Sequence, residues 1–297
     1  MGVSLYLLFG YTPALTGAAA VLGPVCERLL PITIFLTLFV TFSKVDFHLM
    51  RLRRWHLVVV LTQLLLVAVT FTLISSTNDL LFQAILICVI APCASASPVV
   101  TAKLGGDLTQ MTTFVLLSSV VASLLIPAVF PIVEPHEGVT FAAAFLAILR
   151  RLASVLLLPL VLGAVVRHWV KPLYRWFVQN PDLGFYLWSV SLSITAGITA
   201  KNIIHSNASA TVLASVAVLT LLTAVAQLCL GRAIALRLGH RVCTGQAMFQ
   251  KNTGLAIWMA YTYLTPLAAV GAGCYVLWQN IINSYELWEH GKRQRNI

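Results

Sequence analysis

The sequence predicts an all-α polytopic membrane protein of ten transmembrane helices, arranged as two inverted five-helix repeats. A scarcity of charge, a succession of long apolar runs and a one-sided distribution of basic residues carry that prediction. Of 297 residues, 59% are hydrophobic and only 9% charged, against about 25% charged in soluble domains. Apolar runs long enough to cross a ~30 Å hydrocarbon core recur from end to end. They do not alternate residue by residue, as the strands of a membrane β-barrel would.

Set against the breakers between them, the runs place spans at about 3–22, 29–46, 55–76, 81–103, 108–132, 139–166, 183–201, 208–231, 243–264 and 266–285. The first run lacks the basic flank of a cleaved signal peptide and is assigned as span 1. If the N-terminus is cytoplasmic, the loops after spans 2, 4, 6 and 8 and the tail hold fourteen Lys and Arg, from Lys44 to Arg295. The outer loops hold only Arg28 and Lys201, and Arg150, Arg151 and Lys251 fall inside spans. This is the positive-inside pattern. It accounts for the net charge of +10 with the lipid bilayer as partner and no nucleic acid. The expected setting is a bacterial inner membrane, with both termini cytoplasmic and the chain monomeric. The six cysteines form no CxxC pair and suit small core residues.

Five spans per half is an odd number, so the second half enters from the opposite face. The repeats are residues 1–134 and 135–297, joined by "PIVEPHEG". Inverted repeats are a common build of secondary transporters, whose sites lie near the midplane on discontinuous helices. The fourth span of each half carries such damage. Span 4 reads "LLFQAILICVIAPCASASPVVTAKLGG", where Pro92 and Pro98 bracket a run of small and hydroxyl residues. Each proline removes an N–H and disfavours helix just before it. Ser97-Pro98 has the form of an N-cap followed by proline at the first helical position. In span 9, "CTGQAMFQKNTGLAIWMAYTYL", Asn252 or Thr253 can cap a second half-helix. Helix starts inside the bilayer are tolerated only where backbone is buried in protein or lines a cavity.

These stretches resemble the bile acid:sodium symporter family. "LLPITIFLTLFVTFSKVDF" (29–47), "APCASASPVVTAKLGGD" (91–107), "LLPLVLGAVV" (157–166), "QKNTGLA" (250–256) and "LWQNIINS" (277–284) are similar to family segments in the right order and spacing. The resemblance implies that broken helices 4 and 9 cross within a core of helices 3, 4, 5, 8, 9 and 10. Helices 1, 2, 6 and 7 would form a panel, and rocking between the two would open a central cavity to each side in turn. The implied crossover set is Gln63, Ser95, Ser97, Pro98, Thr101, Lys251, Asn252 and Thr253.

Against the family's sodium ligands, Gln63 and Ser97 are kept. Pro98 stands for an asparagine, Met111 and Val115 for hydroxyl positions, with Thr112 and Thr113 close by. Ala247 stands for a glutamate and Lys251 for a glutamine. The negative charge is lost and a cation added, so sodium at these sites, or any other cofactor, is not expected. A central lysine costs roughly 2.5–3.5 kcal/mol on translocon scales unless it faces a cavity or partner. The preferred role is a fixed substitute for the ion, the ammonium donating to Gln63, Ser95 or Ser97 and freed carbonyls. Direct substrate contact, proton carriage, and snorkelling to the surface are the alternatives.

Arg150 and Arg151 admit two readings, a cationic lip attracting anions or the junction of an interfacial segment, the second preferred. Cys93 in "APC" resembles the thiol position of arsenite permeases, and Asn207-Ala-Ser matches a glycosylation sequon. No HExxH, GxSxG or P-loop motif points to an enzyme. The expected function is secondary transport of a small organic anion without sodium coupling. A sodium- or proton-coupled symporter, or a sensor on the same fold, is the alternative.

Overall fold

The computed structural model describes residues 2–12, 15–77, 81–135, 137–180, 182–204 and 208–295. Apart from one isolated bridge, their regular structure is helical. The helices are α1 (Gly2–Tyr11), α2 (Thr16–Ser43), α3 (Arg54–Thr77), α4 (Leu81–Ile90), α5 (Ser97–Lys103), α6 (Leu108–Val133) and α7 (Phe141–Leu152). There follow α8 (Leu158–Trp169), α9 (Lys171–Gln179), α10 (Leu183–Ile204), α11 (Ala210–Leu238), α12 (Arg241–Phe249), α13 (Thr253–Tyr263) and α14 (Pro266–Arg295). A π-helical turn, Ala153–Leu157, fuses α7 and α8 into one rod. Among the described residues five helices are long and apolar enough to cross a membrane: Val21–Ser43, Arg54–Ser76, Leu108–Val133, Phe141–Trp169 and Ala210–Leu238.

The start of the chain departs from expectation. Span 1 does not run from 3 to 22. Its first half is α1, ten residues or about 15 Å, half a hydrocarbon core. Its second half belongs to α2. Thr12 N donates to Leu8 O and Leu15 N to Thr12 O, and a proline at position 13 of the sequence disfavours helix at the residue before it. Gly23-Pro24 and Glu27-Arg28, read as an outer loop, lie inside α2, and Glu27 is paired with Lys201 of α10 at 2.8 Å. Gly2 abuts the backbone of Ser193, midway along α10.

Smaller differences follow from partners outside each run. α9 was not anticipated. It is a short amphipathic helix whose Phe177 ring meets Phe39 of α2 edge-on at 5.5 Å. α14 continues to Arg295 instead of leaving a loose tail, because Glu286 pairs with Arg232 of α11 and Glu289 with Arg293 one turn on. Asn207 of the sequon lies outside the described residues. Ser209 beside it accepts from Val212 N at 3.3 Å and caps α11.

Two sets of helices pack differently. α2 lies against α8 and α10, with α1 on α10. α14 lies against α4, α11 and α13, with α12 on α11 and α3 on α4. Lipid tails give helices no hydrophobic reason to associate, so close approach at small residues has to hold them. At Gly271 a Cβ would sit 2.5 Å from that of Ala84, and at Gly231 it would sit 2.3 Å from Thr244 O. Gly271→Val is therefore expected to force α4 from α14, at about 1–3 kcal/mol or more, and to lower the melting temperature of the purified protein. Gly23→Ala, where a Cβ meets nothing within 4 Å, should leave the melt unchanged or slightly raised.

Candidate functional site

Two interrupted helices meet in the middle of the molecule. The segment between α4 and α5 crosses that between α12 and α13, and Cys93 and Lys251 pair as an isolated antiparallel bridge. Ala94 N donates to Gln250 O at 3.0 Å, and Asn252 N donates to Pro92 O at 2.8 Å. Helix ends in a bilayer leave carbonyls that water cannot reach, and side chains from surrounding helices supply the missing donors. Gln63 Nε2 donates to Val89 O at 3.0 Å and Ala91 O at 3.2 Å. Tyr275 Oη donates to Phe249 O at 2.7 Å, while Gln227 Nε2 reaches Tyr275 Oη at 3.0 Å. The freed N–H groups of Cys93 and Lys251 donate to Ser118 Oγ at 2.8 Å and Gln279 Oε1 at 2.7 Å.

Lys251 is 1% exposed. Its ammonium donates to Val89 O at 3.2 Å, the same carbonyl that Gln63 holds. This rules out snorkelling; the acceptor is a carbonyl freed at the crossover, as expected, but no bond joins the ammonium to Gln63, Ser95 or Ser97. Val89 is the next-to-last residue of α4, so the cation sits at the negative end of that half-helix. Among the described residues no acid pairs with it.

Beside the crossing lies a cavity. Ser95, Gln250–Gly254 and Gln279 form one wall, and Thr37, Trp188, Ser191 and Thr195 of α2 and α10 form the other. Measured to the centres of water-sized spheres it holds about 50 Å³, where one water needs roughly 10–15 Å³. Among the described residues, Lys251 is the only ionisable one lining it. The start of α13 faces it, capped by Asn252 Oδ1, which accepts from Leu255 N at 3.2 Å. Thr195 Oγ1 and Gln250 Oε1 are buried there without a hydrogen-bond partner. The wall presents a helix N-terminus and polar residues, with the Lys251 ammonium buried beside it.

Of the sequence-predicted residues, Ser95, Lys251, Asn252 and Thr253 line the cavity, and Gln63 serves the crossing behind it. Ser97 starts α5, with Ala96 as the capping position, one residue earlier than expected, so Pro98 is second in the helix. The Ser97 hydroxyl accepts from Cys93 Sγ at 3.2 Å. Thr101 is buried against Gly106 and does not reach the cavity. Arg150 and Arg151 do not line it either. The Arg151 guanidinium lies 5.2 Å from the centre of the Trp258 ring on α13. The wall from α10 was missed, though Ser191, Thr195 and Thr199 recur at helical spacing along one face.

Four of the positions named above lack a side-chain oxygen in the folded chain. Met111, Val115 and Ala247 are buried and offer no side-chain oxygen, and Pro98 has none to offer. The nearby hydroxyls of Thr112 and Thr113 bond the carbonyls of Leu108 and Thr109 in their own helix. Among the described residues no three His, Cys, Asp or Glu side chains cluster to hold a metal ion, and that includes the surroundings of Cys93.

Tyr275→Phe removes the donor to Phe249 O and the acceptor for Gln227 together. The expected loss is about 1–3 kcal/mol, read as a lower melting temperature, with the larger effect if no water enters.

The model of the sodium bile acid symporter family matches residues 29–236. A search of curated proteins returns no match.

Proposed function

The chain belongs to the sodium bile acid symporter family, and from that premise we propose that it is a secondary transporter carrying a small organic anion without a coupling sodium ion. The single observation behind this reading is the cavity beside the crossing, whose only ionisable lining residue, among those described, is the buried Lys251. Half-helix carbonyl ends are where transporters of this build hold a cation, and half-helix N-termini are where they hold an anion. In this chain the ammonium sits on the carbonyl end of α4. It supplies the positive charge permanently, with no gradient behind it.

The packing supports a two-part movement. The panel would comprise α1, α2, the α7–α8 rod and α10, and the core the remaining spans. The cavity lies on the seam between them, so sliding along the seam would open it to either side. Two inverted repeats, 1–134 and 135–297, account for the matched breaks at 91–96 and 250–252. The basic loops support a cytoplasmic C-terminus on this reading.

Uptake or efflux in proteoliposomes tests the reading. With the transported anion, wild-type flux is expected to be the same in sodium and in choline media, and Lys251→Met should lower it by at least tenfold. The double variant Ala247→Glu, Lys251→Gln restores the family's acid and amide and should make flux depend on sodium. A wild-type flux that vanishes without sodium would overturn the proposal.

A further inference from the structure

Positions 254, 258 and 261 fall on one face of α13 at the spacing of a helical stripe, and each meets the other set of helices. At Gly254 a Cβ would lie 3.6 Å from Thr195 Oγ1 of α10 and 3.7 Å from Ile34 Cδ1 of α2. One turn on, the buried Trp258 ring lies under the Arg151 guanidinium of α7, 5.2 Å from its centre to Cζ. One turn further, Tyr261 Oη donates to Glu27 Oε1 of α2 over a long 3.5 Å. Lys201 Nζ of α10 donates to the same oxygen at 2.8 Å.

These contacts run one way from the crossing. From Gly254 onwards α13 follows α2 back from Ile34 to Glu27, and α10 forward from Thr195 to Lys201. The cavity lies the other way, toward Thr37 on α2 and Ser191 and Trp188 on α10. That is the side of the basic loops around Lys44 and Lys171. The half-helices on that side, α5 and α12, pack on one another and on α3, α6 and α11, which belong to the core. Arg151 stands about 15 Å from Phe141 along its rod, where a charge is costly unless it is held. Among the described residues its guanidinium has no hydrogen bond or ion pair. What it meets is the face of Trp258, which attracts a cation.

We propose that Arg151 and Glu27 of the panel, with Trp258 and Tyr261 of α13, form a latch. It shuts the seam on the α13 side and leaves the cavity facing the basic loops. The inference rests on the proposed transport reading, in which the seam opens to each side in turn, and the latch is then the outer gate. Both contacts join side chains, so the latch parts without unfolding a helix. Glu27 and Lys201 both belong to the panel, so their ion pair keeps the carboxylate neutralised when Tyr261 moves away.

Accessibility of the cavity tests the latch without any flux, so a failure here leaves the transport reading standing. Leu192→Cys puts a thiol in the cavity wall on α10. A membrane-impermeant maleimide is added to vesicles sealed with the basic loops outside or inside, and peptide mass spectrometry separates residue 192 from the native cysteines. With the latch intact, labelling is expected from the side of the basic loops, and at least about fivefold more slowly from the other. Adding Arg151→Gln should raise labelling from the α13 side about fivefold and lower it from the side of the basic loops. Arg151→Lys keeps the cation and should keep most of the asymmetry, and Arg150→Gln should change nothing. A cavity labelled equally from both sides before any change to the latch overturns the proposal, and that measurement needs no latch variant to fold. An asymmetry that R151Q leaves intact also overturns it. So does a rise on both sides together, which is the sign of a loosened bundle and not of a gate.

Discussion

Backbone polar groups exposed where two helices are interrupted inside a bilayer have no water to turn to, and most of this molecule's polar interior answers that need. Gln63, Ser118, Gln227, Tyr275 and Gln279 come from four different helices and converge on carbonyls and amides within a few residues of the crossing. Lys251 belongs to the same set, with one difference. It brings charge as well as a donor. Its insertion cost of roughly 2.5–3.5 kcal/mol is comparable with what its site returns. A hydrogen bond to a charged group contributes about 1.5–3 kcal/mol, and a cation at a helix C-terminus roughly 0.3–2 kcal/mol. The two nearly cancel, so the ammonium can remain buried without an acidic partner.

The same geometry divides the molecule. Where the half-helices end, carbonyls gather and a cation is held. Where α13 begins, the chain faces a cavity whose far wall belongs to α2 and α10. The cavity thus lies between helices that pack in separate groups, while the lysine lies within one of them. A charge fixed on one side of a seam, with polar atoms on both sides, is a means of binding an anion without locking the two groups together. Thr195 Oγ1 on one wall and Gln250 Oε1 on the other are both left unpaired.

The two breaks and the site at their centre were legible because their signals are local. Two prolines bracketing a run of small and hydroxyl residues at 92–98, and the Lys-Asn-Thr run at 251–253, each concentrate several helix-breaking signals within a few residues. The beginning of the chain misled because prolines and charges usually mark loops. Inside a bundle, neighbouring helices satisfy what a proline frees, and Lys201, far away in sequence, neutralises Glu27. A freed carbonyl was expected as an acceptor of Lys251, but which one was not legible: it lies 162 residues away, and no residue type announces a carbonyl. The far wall of the cavity was hidden for a related reason. Thr37 and Thr199 bond carbonyls in their own helices, so hydroxyls that face a cavity and hydroxyls that only serve their helix are spelled alike.

Replacing a mobile ion by a tethered one changes the energetics of transport more than its geometry. A sodium ion that travels with an organic anion cancels its charge and adds the driving force of its own gradient. An ammonium fixed to the chain cancels the charge locally, at the site, and does not leave with the substrate. A monoanion carried in this way crosses as one negative charge. Each 100 mV of potential, negative inside, then favours its outward distribution by about 2.3 kcal/mol, or roughly fiftyfold. A carrier built on this plan concentrates an anion in the cell only against that bias. On the proposed reading the natural direction is outward, unless a steep chemical gradient or a second co-transported species opposes it, and that direction would follow from the single residue at the crossing.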